Sequence, residues 1–579
     1  MRLETNVPTK MRDGITLYAD IYRPAEEGKY PAILTRLPYS KDVHHATQRQ
    51  SYLYPQRYVE AGYAVVIQDC RGTGQSEGQH YHQRGEAEDG YDTVEWIAAQ
   101  PWCTGNVGMY GGSYLGGTQW FAALTHPPHL KVICPAQASA VIRGLPTTQG
   151  GVFNLRGSLR HTIGLASDNL KRSSLPPEQK QAAAARLSFM MDHVDDLCSY
   201  LPLKDVFKAT VPQLDVAPFY ADWLEHLVDD EYWAKFYSPL PVERIELPTL
   251  HQSGWYDFMV AGVLENYLAL GERGGSQIAR RHRKLIVGPW VHGGELSSRV
   301  DDLDFGPAAA GSAVDIPGIL IRWFDYWLKG LDNGILDEPP VKIFVMGDNV
   351  WRDECEWPLA RTQYTPYYFH SAGRANSRLG DGVLTRALPE RQNPDGYVYD
   401  PHNPAPSKGG PRVNSSYVGV LFDQQELEKR NDILVYSTPP LAADVEVTGP
   451  VQVRLWAASS AVDTDFTAKL VDLWPDGRAY NLIEGIIRAR YRESASQAKF
   501  IDPGRIYEYR IDLGATSNVF KAGHRIRVEV SSSSFPKWDP NLNTGHPIGM
   551  DAEIKVAAQT IYHDRDRPSQ IMLPIIPRA

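Results

Sequence analysis

Residues 106–120, NVGMYGGSYLGGTQW, decide the reading of this chain. A short apolar run enters Gly111 and Gly112, Ser113 follows, and Gly116 and Gly117 stand at the head of a helix-forming stretch. Strand, sharp turn and helix around a serine is the layout of a nucleophile elbow, in which a strained turn lifts the hydroxyl above a sheet. The requirement is steric, and small residues at 111, 112, 116 and 117 are expected to let strand and helix come close. The general pattern G-x-S-x-G is not fully met, because its fifth position is Leu115 and the glycine falls one place later, at Gly116. A tight strand-to-helix turn with a bystander serine is the alternative, so the decision rests on partners elsewhere.

Upstream, VPTKMRDGITLYADIYRP breaks at Asp13-Gly14 like a hairpin and is followed by the apolar runs PAILTRLPY and YAVVIQD (63–69). A helical stretch, EAEDGYDTVEWIAAQ (86–100), precedes the serine, and the strand KVICPA follows it. Alternation of strand and helix predicts a parallel sheet covered on both faces. Between about 144 and 244 the pattern turns helical, as in SLPPEQKQAAAARLSFMMDHVDDL, where Ser174 can cap and Pro176 sits near the first turn. Alternation resumes with LPTLHQSGWYD (247–257), KLIVGPW (284–290) and DIPGILIRWFDYWLKGL (315–331). After about 350 the helical period fades into short alternating runs such as PVQVRLWAAS and RIRVEVSSSS, which predict a β-sandwich of jelly-roll type. The expected organisation is a discontinuous α/β domain (1–143 and 245–350), an inserted helical cap (144–244) and an all-β unit (351–579).

A serine hydroxyl is a weak nucleophile until a base takes its proton, and the base needs a carboxylate to fix its tautomer. Such residues stand beyond the carboxyl ends of strands. Asp257 follows the run LPTLHQ, and His292 follows LIVGPW. The chain order Ser113, Asp257, His292 is that of an α/β-hydrolase. An aspartate capping the following helix and a solvated loop histidine are the bland readings of the last two; their conjunction in this order favours the triad.

With 59 Lys and Arg against 69 Asp and Glu, the net charge is −10, which offers no footprint for nucleic acid or anionic lipid. A length of 579 residues calls for more than one packed unit. The amino terminus has no apolar leader and no run has the length of a spanning helix, so a cytoplasmic protein is expected. Cys70, Cys103, Cys134, Cys198 and Cys355 are odd in number and lack CxxC spacing, the pattern of buried or free thiols. The loop DCRGTGQSEG spaces its glycines G-x-G-x-x-x-G and fails the dinucleotide fingerprint. His44, His45, His80 and His82 lack the recurring spacing of a metal site and read as solvated loop residues. Neither metal nor cofactor is called for.

The segments RLPYSK, GYAVVIQDCRGTGQSEG, GGSYLGGTQW, GWYDF, VGPWVH and SSAVDTDFTAKLVDLWPDGRA resemble the bacterial cocaine-esterase-like (CocE/NonD) hydrolases, relatives of X-prolyl dipeptidyl peptidases and α-amino-acid ester hydrolases. The elbow of that family reads G-x-S-Y-x-G, which accounts for the shifted glycine. The resemblance implies Ser113 as nucleophile, His292 as base and then acid, and Asp257 as orienting carboxylate. It further implies an oxyanion hole from the Tyr114 N–H and the Tyr39 hydroxyl, a cap over the site, a jelly roll without catalytic residues, and a homodimer. Trp255, Phe258 and Met259 lie close in sequence to the triad and are expected to shape an apolar acyl pocket, with Trp290 a weaker candidate. Related ester hydrolases that bind an amine carry acidic residues where this chain has Met259 and Val260, which disfavours aminoacyl substrates. The expected activity is hydrolysis of small carboxylic esters; an amide or peptide hydrolase and a non-catalytic binding protein are the rivals.

Overall fold

In the computed structural model, the strand Cys103–Gly112 runs through the middle of a ten-stranded sheet and ends at Ser113. The structure describes all residues except 43–53, 140–147, 211–216, 229–230, 235–239, 412–422 and 579. His44 and His45 therefore lie outside the described residues.

The hairpin predicted at Asp13-Gly14 is present as Arg2–Lys10 against Thr16–Arg23, with Gly14 at φ 90° in the turn. Next to it the strands run Ala64–Asp69, Tyr30–Leu37, Cys103–Gly112, Leu130–Ala136, Thr249–Tyr256, Arg283–Val291 and Val341–Val345, all mutually parallel. These strands are buried along most of their length, as expected for a sheet with helices on both faces. Helices Glu86–Ala98 and Tyr114–Leu124 pack into a core with Val66, Val107 and Ile133, while Ile316–Lys329 packs with Ile33, Tyr110 and Ile286. Val350–Glu354 closes the sheet antiparallel to Val341–Val345. The expected boundary at 350 thus cuts a hairpin, and the α/β domain extends through Glu354.

Leu130–Ala136 and Thr249–Tyr256 pair directly, Ala136 opposite Gln252, so the described residues between them stand outside the sheet. Helices Leu155–Arg172, Pro177–Asp192 and Pro218–Glu225 surround a core of their own that includes Leu159, Leu187, Phe219 and Trp223. This is the predicted cap; its proposed start at 144 falls outside the described residues. Its proposed end at 244 is late, because Leu240 and Val242 already pack in the α/β core. The helix after the double proline begins at Pro177, with Pro176 and not Ser174 at the cap position. The reason is local: a residue followed by proline is driven out of the α region, whereas proline itself suits the first helical turn.

From Gln363 onward the described residues form an eleven-stranded network, interrupted by the short 3-10 helices Leu427–Lys429 and Ala489–Tyr491. Its 15-residue strand Val445–Ser459 pairs with Tyr507–Phe520, Ala557–Tyr562 and Gln570–Ile576. The inward residues Val453, Leu455, Phe466, Leu470, Ile526 and Val528 form the core of this jelly roll. It is joined to the sheet by Met346, whose N–H donates to the Ser517 carbonyl at 3.0 Å, and to the cap by Leu155, whose N–H donates to the Lys537 carbonyl at 3.0 Å. No helix among the described residues is long and apolar enough to cross a membrane.

Candidate active site

Ser113 adopts φ 59° and ψ −127°, a backbone conformation that costs a non-glycine residue of the order of 1–3 kcal/mol. Three hydrogen bonds hold it there. Its N–H donates to the Ala136 carbonyl at 2.9 Å, and its carbonyl accepts from Gly116 at 2.8 Å and Gly117 at 3.0 Å. The glycines do not contribute equally. A Cβ on Gly111 would lie 2.5 Å from the Leu115 Cβ, and one on Gly116 would lie 2.3 Å from the Ala138 Cβ. Gly112 would make only an ordinary contact at 3.5 Å, and Gly117 has nothing within 4 Å. Close packing therefore depends on Gly111 and Gly116, while Gly117 forms part of the cavity wall. Gln119, which sequence reasoning missed, braces the elbow: its buried amide donates to the Gly111 and Leu115 carbonyls, each at 3.1 Å, and accepts from the Cys134 N–H at 2.9 Å.

Asp257 and His292 are brought together as predicted. The His292 Nδ1 lies 2.9 Å from one carboxylate oxygen of Asp257, which also accepts the Met259 N–H at 3.0 Å. The second oxygen accepts the Ser253 hydroxyl at 2.8 Å. The carboxylate, fully buried, thus contacts the imidazole and also closes the turn before the helix Val260–Arg273, so the contact a triad needs and the local backbone contact occur together. The loop after His292 is held by Gln137, whose side chain accepts the Gly293 N–H at 2.8 Å and donates to the Val291 carbonyl at 3.2 Å. Gln137 follows a strand's carboxyl end directly, the positional signal that could have identified it.

Ser113 and His292 both line a cavity of about 570 Å³ together with Tyr39, Tyr114, Phe258 and Met259. Tyr39 lines this cavity beside Ser113 and packs edge-on against the Tyr114 ring, with centroids 6.4 Å apart. Desolvation pushes its phenol well above its usual pKa, which keeps it protonated and able to donate. Tyr114 is the first residue of its helix, so its N–H has no partner one turn back. Its phenol is occupied elsewhere, donating to Glu86 at 2.8 Å and accepting the Gln83 N–H at 3.1 Å.

The pocket expectation needs correction. Phe258 packs against the His292 ring, with centroids 4.8 Å apart, and Met259 is at the cavity wall. Trp255 is not: it is fully buried, donates its indole N–H to the Phe344 carbonyl at 2.7 Å and packs on Trp357. Trp290 is likewise buried, donating to the Ala309 carbonyl. Both indoles are core residues of strands covered on two faces. The cap contributes His161, Leu165 and Met191 instead, and the jelly roll contributes Pro411 and Lys537. His80 and His82, expected to be solvated, are 4 % and 5 % exposed, and His82 packs among Tyr114, His161 and Trp223. Burial pushes His80 and His161 down to about 4 and His82 well below the usual imidazole range, so these imidazoles are neutral at ordinary pH.

Comparison with known proteins agrees with this architecture. Residues 13–294 match the family of X-Pro dipeptidyl-peptidases (S15 family), and residues 333–572 match the X-Pro dipeptidyl-peptidase C-terminal non-catalytic domain. The cocaine esterase of Rhodococcus sp. (strain MB1 Bresler) is 40% identical over 582 residues, 99% of this chain and 98% of that protein. A solved α-amino acid ester hydrolase superimposes with a TM-score of 0.80 at 26% identity, covering 99% of this chain and 96% of its own. An aminopeptidase from a marine sediment archaeon, Thaumarchaeota archaeon, gives 0.80 at 26%, covering 100% and 96%. Identity at that level, sustained from end to end with the esterase, reaches beyond shared architecture: the chain belongs to the CocE/NonD family within the wider X-Pro dipeptidyl-peptidase (S15) group, and it is a serine ester hydrolase.

Proposed function

We propose that this chain hydrolyses small carboxylic esters with apolar or aromatic acyl groups through an acyl-enzyme on Ser113. His292 takes the serine proton and returns it to the departing alcohol, and Asp257 holds the imidazole and stabilises its cation. The oxyanion faces the Tyr114 N–H and the Tyr39 hydroxyl. In the second half-reaction His292 activates water, which releases the acid. The observation that carries this reading is the 2.9 Å contact between His292 and Asp257 at a cavity that Tyr39 and the strained Ser113 also line. Leu165, Met191, Phe258 and Met259 supply the apolar wall for the acyl group. The cysteines are free thiols, which supports a reducing, cytoplasmic setting.

The test is turnover of p-nitrophenyl acetate, butyrate and benzoate by the wild type and by Ser113→Ala, with intact-mass detection of the adduct. Turnover is expected to fall by about 10⁴-fold or more in the variant, and the acyl mass to sit on a peptide containing Ser113. Equal activity of the two proteins would overturn the assignment. The S15 match and the aminopeptidase neighbour favour a second reading, amide hydrolysis. A benzoyl ester and the corresponding anilide, assayed side by side, separate the two.

A further inference from the structure

The Tyr114 N–H is one of the two donors proposed to face the oxyanion, and the groups that hold Tyr114 in place lie outside the triad. Its buried hydroxyl is fixed on two sides, donating to Glu86 Oε1 at 2.8 Å and accepting the Gln83 N–H at 3.1 Å. Burial pushes the phenol well above its usual pKa, so it stays a donor. His82 packs edge-on against the same ring, with centroids 5.2 Å apart.

Glu86, 3 % exposed, opens the helix Glu86–Ala98 and gives its two oxygens to different partners. Oε1 takes the Tyr114 hydroxyl, and Oε2 takes the Arg36 guanidinium at 2.6 Å; the same Arg36 nitrogen also donates to the Glu86 carbonyl at 3.1 Å. Arg36 is fully buried on the strand Tyr30–Leu37, where its Nε donates to Gln68 at 2.9 Å. It stands three residues before Tyr39, the other proposed donor. One carboxylate therefore ties the strand that leads to Tyr39 to the residue that carries the second donor. Replacing a buried ion pair by well-packed apolar groups is often neutral for stability, so stability gives little reason for this arrangement. Orientation does, because a donor moved off its line to the developing charge loses much of its effect on the transition state.

We propose that Glu86 is a positioning residue for ester hydrolysis: by anchoring the Tyr114 phenol it aims the Tyr114 N–H at the oxyanion. The inference rests on the proposed Ser113 mechanism, and its test keeps the two apart. Butylboronic acid is the probe: Ser113 Oγ bonds to boron, the serine proton passes to His292, and the tetrahedral anion sets one boron oxygen in the oxyanion hole. Tyr114→Phe keeps the backbone donor and removes its anchor. Its kcat on p-nitrophenyl butyrate is expected to fall about tenfold, short of the roughly 10²-fold for outright loss of a donor, with KM little changed. The boronic acid should bind more weakly by the same factor, while binding of butyrate, the planar product, stays as in the wild type. Glu86→Gln is expected to reproduce both losses, and the double variant to be no worse than the more damaged single one, because both substitutions break one link. All assays are run below the unfolding midpoint measured for each variant. A purely structural role would lower the midpoint and leave kcat and boronic acid affinity as in the wild type; that result, or losses that multiply in the double variant, would overturn the inference alone. Boronic acid binding that is equal in wild type and Ser113→Ala would overturn the Ser113 mechanism, and the inference with it.

Discussion

At the scale of single residues, the proposed oxyanion hole depends on one hydroxyl that sequence pattern could not have assigned. A strand-end tyrosine is usually a packing residue, and only the resemblance pointed to Tyr39; in the structure it lines the same cavity as Ser113. Tyr39→Phe removes that donor and little volume. We expect kcat to fall by about 10²-fold, the scale for loss of one oxyanion donor, with KM little changed because the interaction strengthens only as charge develops. Steady-state kinetics on p-nitrophenyl butyrate check this, and an unchanged kcat would remove Tyr39 from the oxyanion hole. The proposed triad was legible because three chemically distinct residues each follow a strand in a fixed order. The pocket was not: Trp255 and Met259 are both near Asp257 in sequence, but a strand buried on two faces carries no alternation to show which side chains face the cavity. His82 was misread for a related reason, since a loop beneath an inserted cap is buried by residues far away in sequence.

At the scale of the element, the helix Tyr114–Leu124 shows why spacing alone overstates the role of glycine. Four glycines looked equivalent in the elbow, but the strand and the following loop approach only some of them. Gly116→Ala adds a Cβ 2.3 Å from that of Ala138, so overpacking of about 1–3 kcal/mol outweighs the roughly 1 kcal/mol that alanine gains in helix propensity. Gly117→Ala meets nothing within 4 Å and keeps the gain in propensity. The two substitutions, adjacent and chemically identical, are therefore expected to move the thermal midpoint in opposite directions, down for position 116 and up for position 117. Calorimetry on both variants decides it, and a shift of the same sign in both would refute the packing argument.

At the scale of the molecule, three bodies close around one site, and the contacts that join them are buried polar groups. The sequence showed a change of period near 350 and a helical interruption of the sheet, because both alter periodicity. It could not show the joins, which pair residues hundreds of positions apart. Asp539 of the jelly roll, 4 % exposed, accepts the Phe153 N–H of the cap at 2.7 Å and the Arg488 guanidinium at 3.1 Å. Arg488 also binds Asp465 through two contacts of 2.8 Å and donates its N–H to the Gly150 carbonyl at 3.0 Å. Removing one partner of such a network leaves the other charge buried, at a cost of about 3–5 kcal/mol, whereas an exposed pair is screened by water. Asp539→Ala is accordingly expected to lower the unfolding midpoint and to expose the cap to protease before the sheet. Asp502→Ala breaks the exposed pair with Arg505 and should do neither. Because the cap supplies His161, Leu165 and Met191 to the catalytic cavity, the Asp539 variant should also raise KM for the larger acyl esters more than for acetate. Limited proteolysis with intact-mass mapping, run beside acetate and benzoate kinetics, tests both consequences, and a cap that stays protected in Asp539→Ala would show that this network does not fasten it.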